Sequence, residues 1–235
     1  MDVVLALGGM GTRLHEVTRD LLPKPMVDCG GKPFLWLLLK YLRNNVPNLK
    51  RFIFLTGHLG DSIKDYFGDS FKEIPILYST EDHPLGTGGA LRMACLNYSI
   101  GELIFLNGDT LHEIDYGALI AAYHAANQTN AGRVLISSCR VEKVDRYGAL
   151  ELSGSSVKNF CEKGANSPSN LIYSGSTVMH GNQIAAPSYS SIQDFSKEFL
   201  SPMASERKLE AYIDNGYFVD IGIPQDYFQF CERLK

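Results

Sequence analysis

Between Asp2 and Asn107 short apolar runs alternate with helix-patterned stretches, and this alternation restricts the possible folds more than any other feature. Asp2–Leu7 (DVVLAL), Arg51–Thr56, Ile74–Ser79 and Glu102–Asn107 have strand length. Pro33–Asn45, Asp61–Phe67, Thr87–Asn97 and Asp115–Ala126 carry helical patterns; the first opens on proline and the last on an aspartate suited to cap it. Apolar strands separated by helices predict parallel strands buried on both faces. Beyond Arg133 the pattern changes. Arg133–Arg140, Gly148–Leu152, Val157–Phe160 and Ile172–His180 read as strands with little helix between them, and helical patterns return at Asp194–Leu200 and Gln225–Arg233. The expectation is an α/β fold with one mixed sheet covered by helices, whose ligands sit beyond the carboxyl ends of strands.

Composition narrows the function. The 235 residues are 45% hydrophobic and 20% charged, with a formal net charge of −4. That balance suits a packed core and offers no broad attraction to nucleic acid or anionic lipid, so any anion site must be built locally. No run approaches the roughly 18 apolar residues of a membrane span, and the amino terminus lacks a signal-peptide pattern. Cys29, Cys95, Cys139, Cys161 and Cys231 are scattered, without a C-x-x-C pair; they read as reduced thiols of a cytoplasmic protein. No linker, low-complexity segment or repeat interrupts the chain. One domain over 1–235 is expected.

The first apolar run ends in glycines: residues 5–14 are L-A-L-G-G-M-G-T-R-L. Glycines after a first strand let backbone N–H groups approach a phosphate or a base. A Walker A loop would need Gly-Lys-Ser/Thr, but Gly11 is followed by Thr12-Arg13. A dinucleotide fingerprint would need a third glycine where Leu14 stands, and an acidic residue after the second strand. A nicotinamide oxidoreductase is thereby disfavoured. Arg13 and the Pro23-Lys24-Pro25 triplet instead flank the loop with a guanidinium fork and a conformationally restricted ammonium, a pair suited to polyphosphate.

L-x-G-G-x-G-T-R-L followed by P-K-P resembles the signature of the sugar-1-phosphate nucleotidylyltransferases. The resemblance continues through P-L-G-T-G-G-A (Pro84–Ala90), N-G-D (Asn107–Asp109), Arg146-Tyr147-Gly148, Glu162-Lys163 and D-I-G-I-P-Q-D-Y (Asp220–Tyr227). It implies a three-layer α/β/α, Rossmann-like domain with a mixed, mostly parallel sheet. Residues 1–130 would bind nucleotide and 131–235 sugar phosphate. The left-handed β-helix of longer relatives is not expected after the last motif.

By the same resemblance, Leu7, Gly8, Gly9, Gly11, Thr12, Arg13, Lys24, Glu81, Gly86, Thr87 and Asn107 serve the nucleoside triphosphate. Arg13 holds the leaving phosphates, Lys24 the α-phosphate, and Asp109 and Asp220 bind Mg2+. Gly148, Glu162, Lys163 and Gly175 serve the sugar 1-phosphate. Two departures stand out. Leu7 replaces a smaller residue, and the family's Asn-Ala-Gly is Tyr173-Ser174-Gly175, where a serine would shorten a sugar contact. A phosphate oxyanion is already nucleophilic, so no general base is required and the histidines receive no catalytic role.

Ser79-Thr80-Glu81 with L-G-T-G-G-A resembles guanylyltransferases, since a carboxylate can accept from the N1/N2 edge of guanine. Length and motif together are closest to the D-glycero-α-D-manno-heptose 1-phosphate guanylyltransferases of bacterial surface-glycan pathways. A uridylyltransferase or a mannose-1-phosphate guanylyltransferase of the same family is the alternative. A non-catalytic nucleotide-sugar-binding subunit is a third reading, opposed by the charged residues retained. A homo-oligomer is left open: Tyr227, Phe228 and Phe230 suit either a core or an interface.

Overall fold

The computed structural model describes residues 1–9, 12–144, 146–161 and 169–235, the side chains of Thr12 and Cys161 excepted. In chain order the elements are β1 (Asp2–Ala6), α1 (His15–Thr18), α2 (Phe34–Asn45), β2 (Arg51–Thr56), α3 (Gly60–Phe67), β3 (Ser70–Phe71), β4 (Ile74–Thr80), α4 (Gly86–Asn97), β5 (Glu102–Asn107), β6 (Thr110–His112) and α5 (Tyr116–Thr129). They continue with β7 (Val134–Arg140), β8 (Ala149–Ser153), β9 (Ser156–Cys161), β10 (Leu171–His180), α6 (Gly181–Ala185), α7 (Ser201–Ser205), β11 (Leu209–Ile213), β12 (Phe218–Asp220) and α8 (Pro224–Arg233).

A ten-stranded mixed sheet runs β3-β4-β2-β1-β5-β10-β7-β11-β9-β8. The pairs β4–β2, β2–β1 and β1–β5 are parallel, whereas β10 is antiparallel to both β5 and β7. The sheet is buried on both faces, and the period of two along each strand shows it. Val3, Leu5, Phe52, Phe54, Ile104 and Leu106 enter one apolar cluster. Their neighbours Val4, Ile53, Leu55, Leu103 and Phe105 enter the other. Helices α2, α3, α5 and α8 cover the first face, and α4, α6 and α7 cover the second. Helix α2 buries Phe34, Leu35, Leu38, Leu39 and Leu42. Each such side chain contributes roughly 1.5–3 kcal/mol of transfer free energy, as an upper bound.

Sequence pattern and structure agree most closely where periodicity is strong. Strands β2 and β5 have the expected limits, and the Asp115 carboxylate caps α5 by accepting from Ala118 N at 2.9 Å. The helix expected over Asp194–Leu200 is a single wide π turn, Ser196–Leu200, running into α7. Pro202 supplies no N–H for the carbonyl four residues back, so a regular α ladder cannot pass through it. Tyr227 and Phe230 are core, whereas Phe228 is exposed. Cys29, Cys95 and Cys139 are buried free thiols; burial pushes Cys95 and Cys139 up to about 12, away from thiolate reactivity. No helix among the described residues is long and apolar enough to cross a membrane.

Candidate active site

The carboxyl ends of β1, β2, β4 and β5 open on one edge of the sheet, and strand order reverses there: β1 has β2 on one side and β5 on the other. A crevice at such a switch point is the expected ligand site of an open α/β sheet. Its floor is made by two turns pressed together. Gly108 N donates to Ala6 O at 3.0 Å, and Leu7 N donates to Leu55 O at 2.9 Å. The Leu7 side chain is core, and its Cδ2 occupies the place a β-carbon on Gly108 would need. Leu7 therefore shapes the crevice through packing and leaves the approach to Gly9 unobstructed. Gly9 is exposed, and a β-carbon there would meet nothing within 4 Å.

Lys24 sits in a short 3₁₀ turn, Lys24–Met26, opened by Pro23 and anchored by buried Pro25. From there Nζ donates to Asp109 Oδ2 at 2.6 Å, with the two side chains 12% and 28% exposed. Asp220 reaches the same place from the far end of the chain because β12 pairs with β6, setting Asp220 opposite Thr110. Ile221 N donates to Asp109 O at 3.0 Å, which ties the two acidic turns together. Gly222 N donates to Asp220 Oδ1 at 2.6 Å. A β-carbon at Gly222 would lie 2.6 Å from that oxygen and 3.6 Å from Arg13 Nη2, so this glycine leaves room for both groups.

Burial raises the Asp220 carboxyl above the ordinary carboxylate range, and the Asp109 charge adds to the rise. Lys24, the Gly222 N–H and Arg146 work in the opposite direction. Two adjoining carboxylates, one of them poorly solvated, make a site that a hard divalent cation satisfies. No cluster of three or more His, Cys, Asp or Glu able to hold a metal occurs among the described residues. Such a cation would take its other ligands from water or phosphate.

A stability effect follows from the raised Asp220 carboxyl. With no cation present, ionised Asp220 opposes folding at neutral pH, and the penalty is relieved as pH falls through its raised folded value toward the unfolded one. Asp220→Asn is expected to stabilise the metal-free protein by about 1 kcal/mol at pH 7, as relief of active-site strain commonly does. The gain should shrink on acidification. Thermal unfolding of both proteins from pH 4 to pH 8 checks this, and a destabilised variant at pH 7 would refute it.

Beside the acidic pair lies a cavity of about 500 Å³, lined by Thr87, Asn107, Gly148, Gly175 and Asp220 among others. Residues expected to serve nucleotide, metal and sugar thus share one space. Tyr147 and Phe218 stand edge to face on its lining, with centroids 5.6 Å apart. One wall, Asp194–Lys197, was expected only as the start of a helical stretch and not as part of the site. It docks on α4 through Gly88 N to Gln193 O at 2.7 Å and Phe195 N to Thr87 Oγ1 at 3.2 Å. The glycines of L-G-T-G-G-A admit this wall: a β-carbon at Gly86 would come 2.5 Å from Gln193 O, and one at Gly88 2.8 Å from Ile192 Cγ1. The start of the wall is held by Asp194 Oδ1 accepting from Lys197 N and Glu198 Oε2 accepting from Gln193 and Asp194 N.

Glu81 stands at the end of β4 with its N–H on Thr56 O at 3.0 Å. Oε2 accepts from Leu85 N at 3.0 Å, and Oε1 faces the Gly57 and Gly8 turns, 2.9 Å from where a Gly57 β-carbon would be. Arg146 pairs with Asp226 at 2.6 Å, joining the Arg-Tyr-Gly motif to α8. Ser174 lines the cavity and is almost fully buried, and its hydroxyl bonds to Ser137 Oγ and His112 Nδ1, both at 2.8 Å. Gly11, Glu162 and Lys163 lie outside the described residues, as does the Thr12 side chain.

Comparison with known proteins gives the family. The family model described as "Nucleotidyl transferase" matches residues 1–235. The chain is 33% identical to D-glycero-alpha-D-manno-heptose 1-phosphate guanylyltransferase of Aneurinibacillus thermoaerophilus, over 100% of this chain and 99% of that protein. It superposes on the crystal structure of HddC from Yersinia pseudotuberculosis with a TM-score of 0.83 and 35% identity, covering 100% of this chain and 99% of HddC. A second crystal structure of HddC, complexed with GMP-PN, gives a TM-score of 0.82 at 34% identity, with the same coverage. With its whole length matched, this chain belongs to the nucleotidyl transferase family.

Proposed function

We propose that the protein transfers the guanylyl group of GTP to a sugar 1-phosphate, D-glycero-α-D-manno-heptose 1-phosphate first among candidates, releasing pyrophosphate. The observation that carries this reading is the junction of Lys24, Asp109 and Asp220, the last of which lines a cavity large enough for a phosphorylated sugar. The full-length likeness to heptose 1-phosphate guanylyltransferases supports the choice of substrates.

In the proposed reaction a sugar-phosphate oxygen attacks the α-phosphorus of GTP. The new P–O bond forms as the bond to the β-phosphate breaks, and pyrophosphate leaves with that electron pair. No proton need be abstracted, so the work is positioning and charge neutralisation. Lys24 and Arg13 bring positive charge to the triphosphate. Asp109 and Asp220 would hold Mg2+, which when bound neutralises charge on phosphate oxygens. Asn107, Gly148 and Gly175 shape the acceptor space, with Glu162 and Lys163 assigned to the sugar phosphate by motif alone. Glu81, whose Oε1 faces the Gly8 turn, would accept from guanine N1–H and N2–H, an edge that uracil and thymine do not offer. A cytoplasmic location and a place in bacterial surface-glycan synthesis belong to the same proposal.

The test is pyrophosphate release with each of four nucleoside triphosphates against a panel of sugar 1-phosphates. GTP with the heptose phosphate should give the highest kcat/KM, and turnover with UTP alone would overturn the guanine reading. Glu81→Gln should lower kcat/KM for GTP by about ten- to a hundredfold, the usual effect of losing a hydrogen bond to a charged group. Its effect on other nucleotides should be small, and an equal loss with all four would remove Glu81 from base recognition.

A further inference from the structure

The sheet carries a defect directly under the acceptor space. Where β10 runs beside β7, Tyr173 pairs with Ser138 and Thr177 with Ile136, so Ser174, Gly175 and Ser176 together stand opposite the single residue Ser137. A bulge of this kind leaves ladder groups without their usual partners, yet these residues are buried. Ser137 supplies the missing bonds. Its Oγ accepts from Ser176 N at 3.1 Å, donates to Ser176 O at 3.3 Å and accepts from Ser174 Oγ at 2.8 Å. One proton and two lone pairs are the whole capacity of a hydroxyl, and all are used.

That inventory fixes the direction of the rest. Because Ser174 gives its proton to Ser137, it can only accept from His112 Nδ1, 2.8 Å away. His112 is nearly inaccessible, and burial pushes it down to about 4 against the charge and backbone hydrogen bond of Asp214, so the ring is neutral; Ser174's donation to Ser137 places the ring proton on Nδ1. The chain of donors runs one way, from His112 through Ser174 and Ser137 to Ser176 O, and aligned bonds of this kind strengthen one another. What the bulge achieves is visible at its middle residue. Gly175 takes φ +94°, and a β-carbon there would meet Thr110 Cγ2 at 3.2 Å and Asn107 Nδ2 at 3.3 Å. The bulge therefore presses backbone against two residues that line the cavity.

We infer that Ser137, backed by Ser174 and His112, is the positioning residue of the acceptor half-site, holding the bulge that sets Gly175 against Asn107 and Thr110. Here this chain has Tyr173-Ser174-Gly175-Ser176, and the hydroxyls of Ser174 and Ser137 bond to each other beneath Gly175. The assignment to the acceptor rests on the proposed function; the hydrogen-bond chain does not.

Two measurements separate them. In ¹⁵N-resolved spectra of the wild-type protein, His112 should be a neutral Nδ1–H tautomer, and in Ser137→Ala the Gly175 amide and Asn107 side-chain amide signals should move. A His112 proton on Nε2, or unmoved Gly175 and Asn107 signals in Ser137→Ala, overturns the inference whether or not any sugar phosphate is turned over. In kinetics, Ser137→Ala should raise KM for the sugar 1-phosphate about tenfold, while KM for GTP stays within about twofold. Tyr116→Phe, which removes only the hydroxyl 3.2 Å from Ser176 Oγ, should leave both constants within about twofold. Equal rises in both constants, or none, would reduce Ser137 to a purely structural residue. Should Ser137→Ala fail to fold, Ser174→Ala cuts the chain one link earlier and is expected to shift the His112 ring signals and raise the acceptor KM by a smaller factor; unchanged values there overturn the inference as well. Wild-type protein inactive with every sugar phosphate would instead reject the proposed function and leave the spectra to decide this inference.

Discussion

Asp109→Ala is expected to lower kcat by about a thousandfold or more, a loss of the size seen when a key charge-stabilising group is removed from an active site. Asp109 accepts from Lys24 at 2.6 Å and adjoins the half-buried Asp220, so one substitution removes half of the acidic pair and releases Lys24 from its fixed direction. The fold should survive. The side chain is 28% exposed, and the backbone bonds linking the two acidic turns, including Ile221 N to Asp109 O, do not involve it. Single-turnover pyrophosphate release at saturating substrates and Mg2+, together with a melting curve, checks both halves. A folded variant with near-normal rate would remove Asp109 from the chemistry and, with it, the reading of the acidic junction.

Gly108→Ala should act on the fold. A β-carbon there would overlap Leu7 Cδ2 and stand 2.6 Å from Ala6 O, a contact that backbone cannot relieve without moving β1. Overpacking of this sort costs about 3 kcal/mol or more, which for a domain of this size lowers Tm by roughly 6–12 °C. Gly9→Ala provides the control, since its β-carbon would meet nothing within 4 Å and Tm should not move. Adding Leu7→Ala to Gly108→Ala removes one of the two clashes, so the pair should be less destabilised than the two single changes summed. Additivity would show that Leu7 and Gly108 do not press on each other.

Several parts of this architecture were legible before any coordinates. The strands β1, β2, β4 and β5 are apolar on both faces, so their pattern announces itself without reference to partners. Lys24 between prolines and the glycine turn after β1 were local signals of an anion site, and the structure sets Lys24 on Asp109. The short strands β6, β11 and β12 were not legible. Three to five residues carry too little periodicity, and what makes β12 a strand is its pairing with β6 across a long separation in sequence. The partners of Ser174 were not legible for a related reason: Ser137 and His112, which its hydroxyl bonds, are distant in sequence and face it only in the fold.

Sequence alone determined what depends on neighbours along the chain: which runs are buried strands, where helices begin, which turns must be glycine, and which charged residue types wait at strand ends. The tertiary structure decided whatever depends on neighbours in space. It set Asp220 beside Asp109 and raised its carboxyl, docked the Asp194–Lys197 wall on the α4 glycines, and closed the Ser137 hydroxyl chain beneath Gly175. The division has a physical cause. Backbone preference and hydrophobic period act over a few residues, whereas desolvation, charge proximity and hydrogen-bond saturation exist only once distant segments have excluded water from between them.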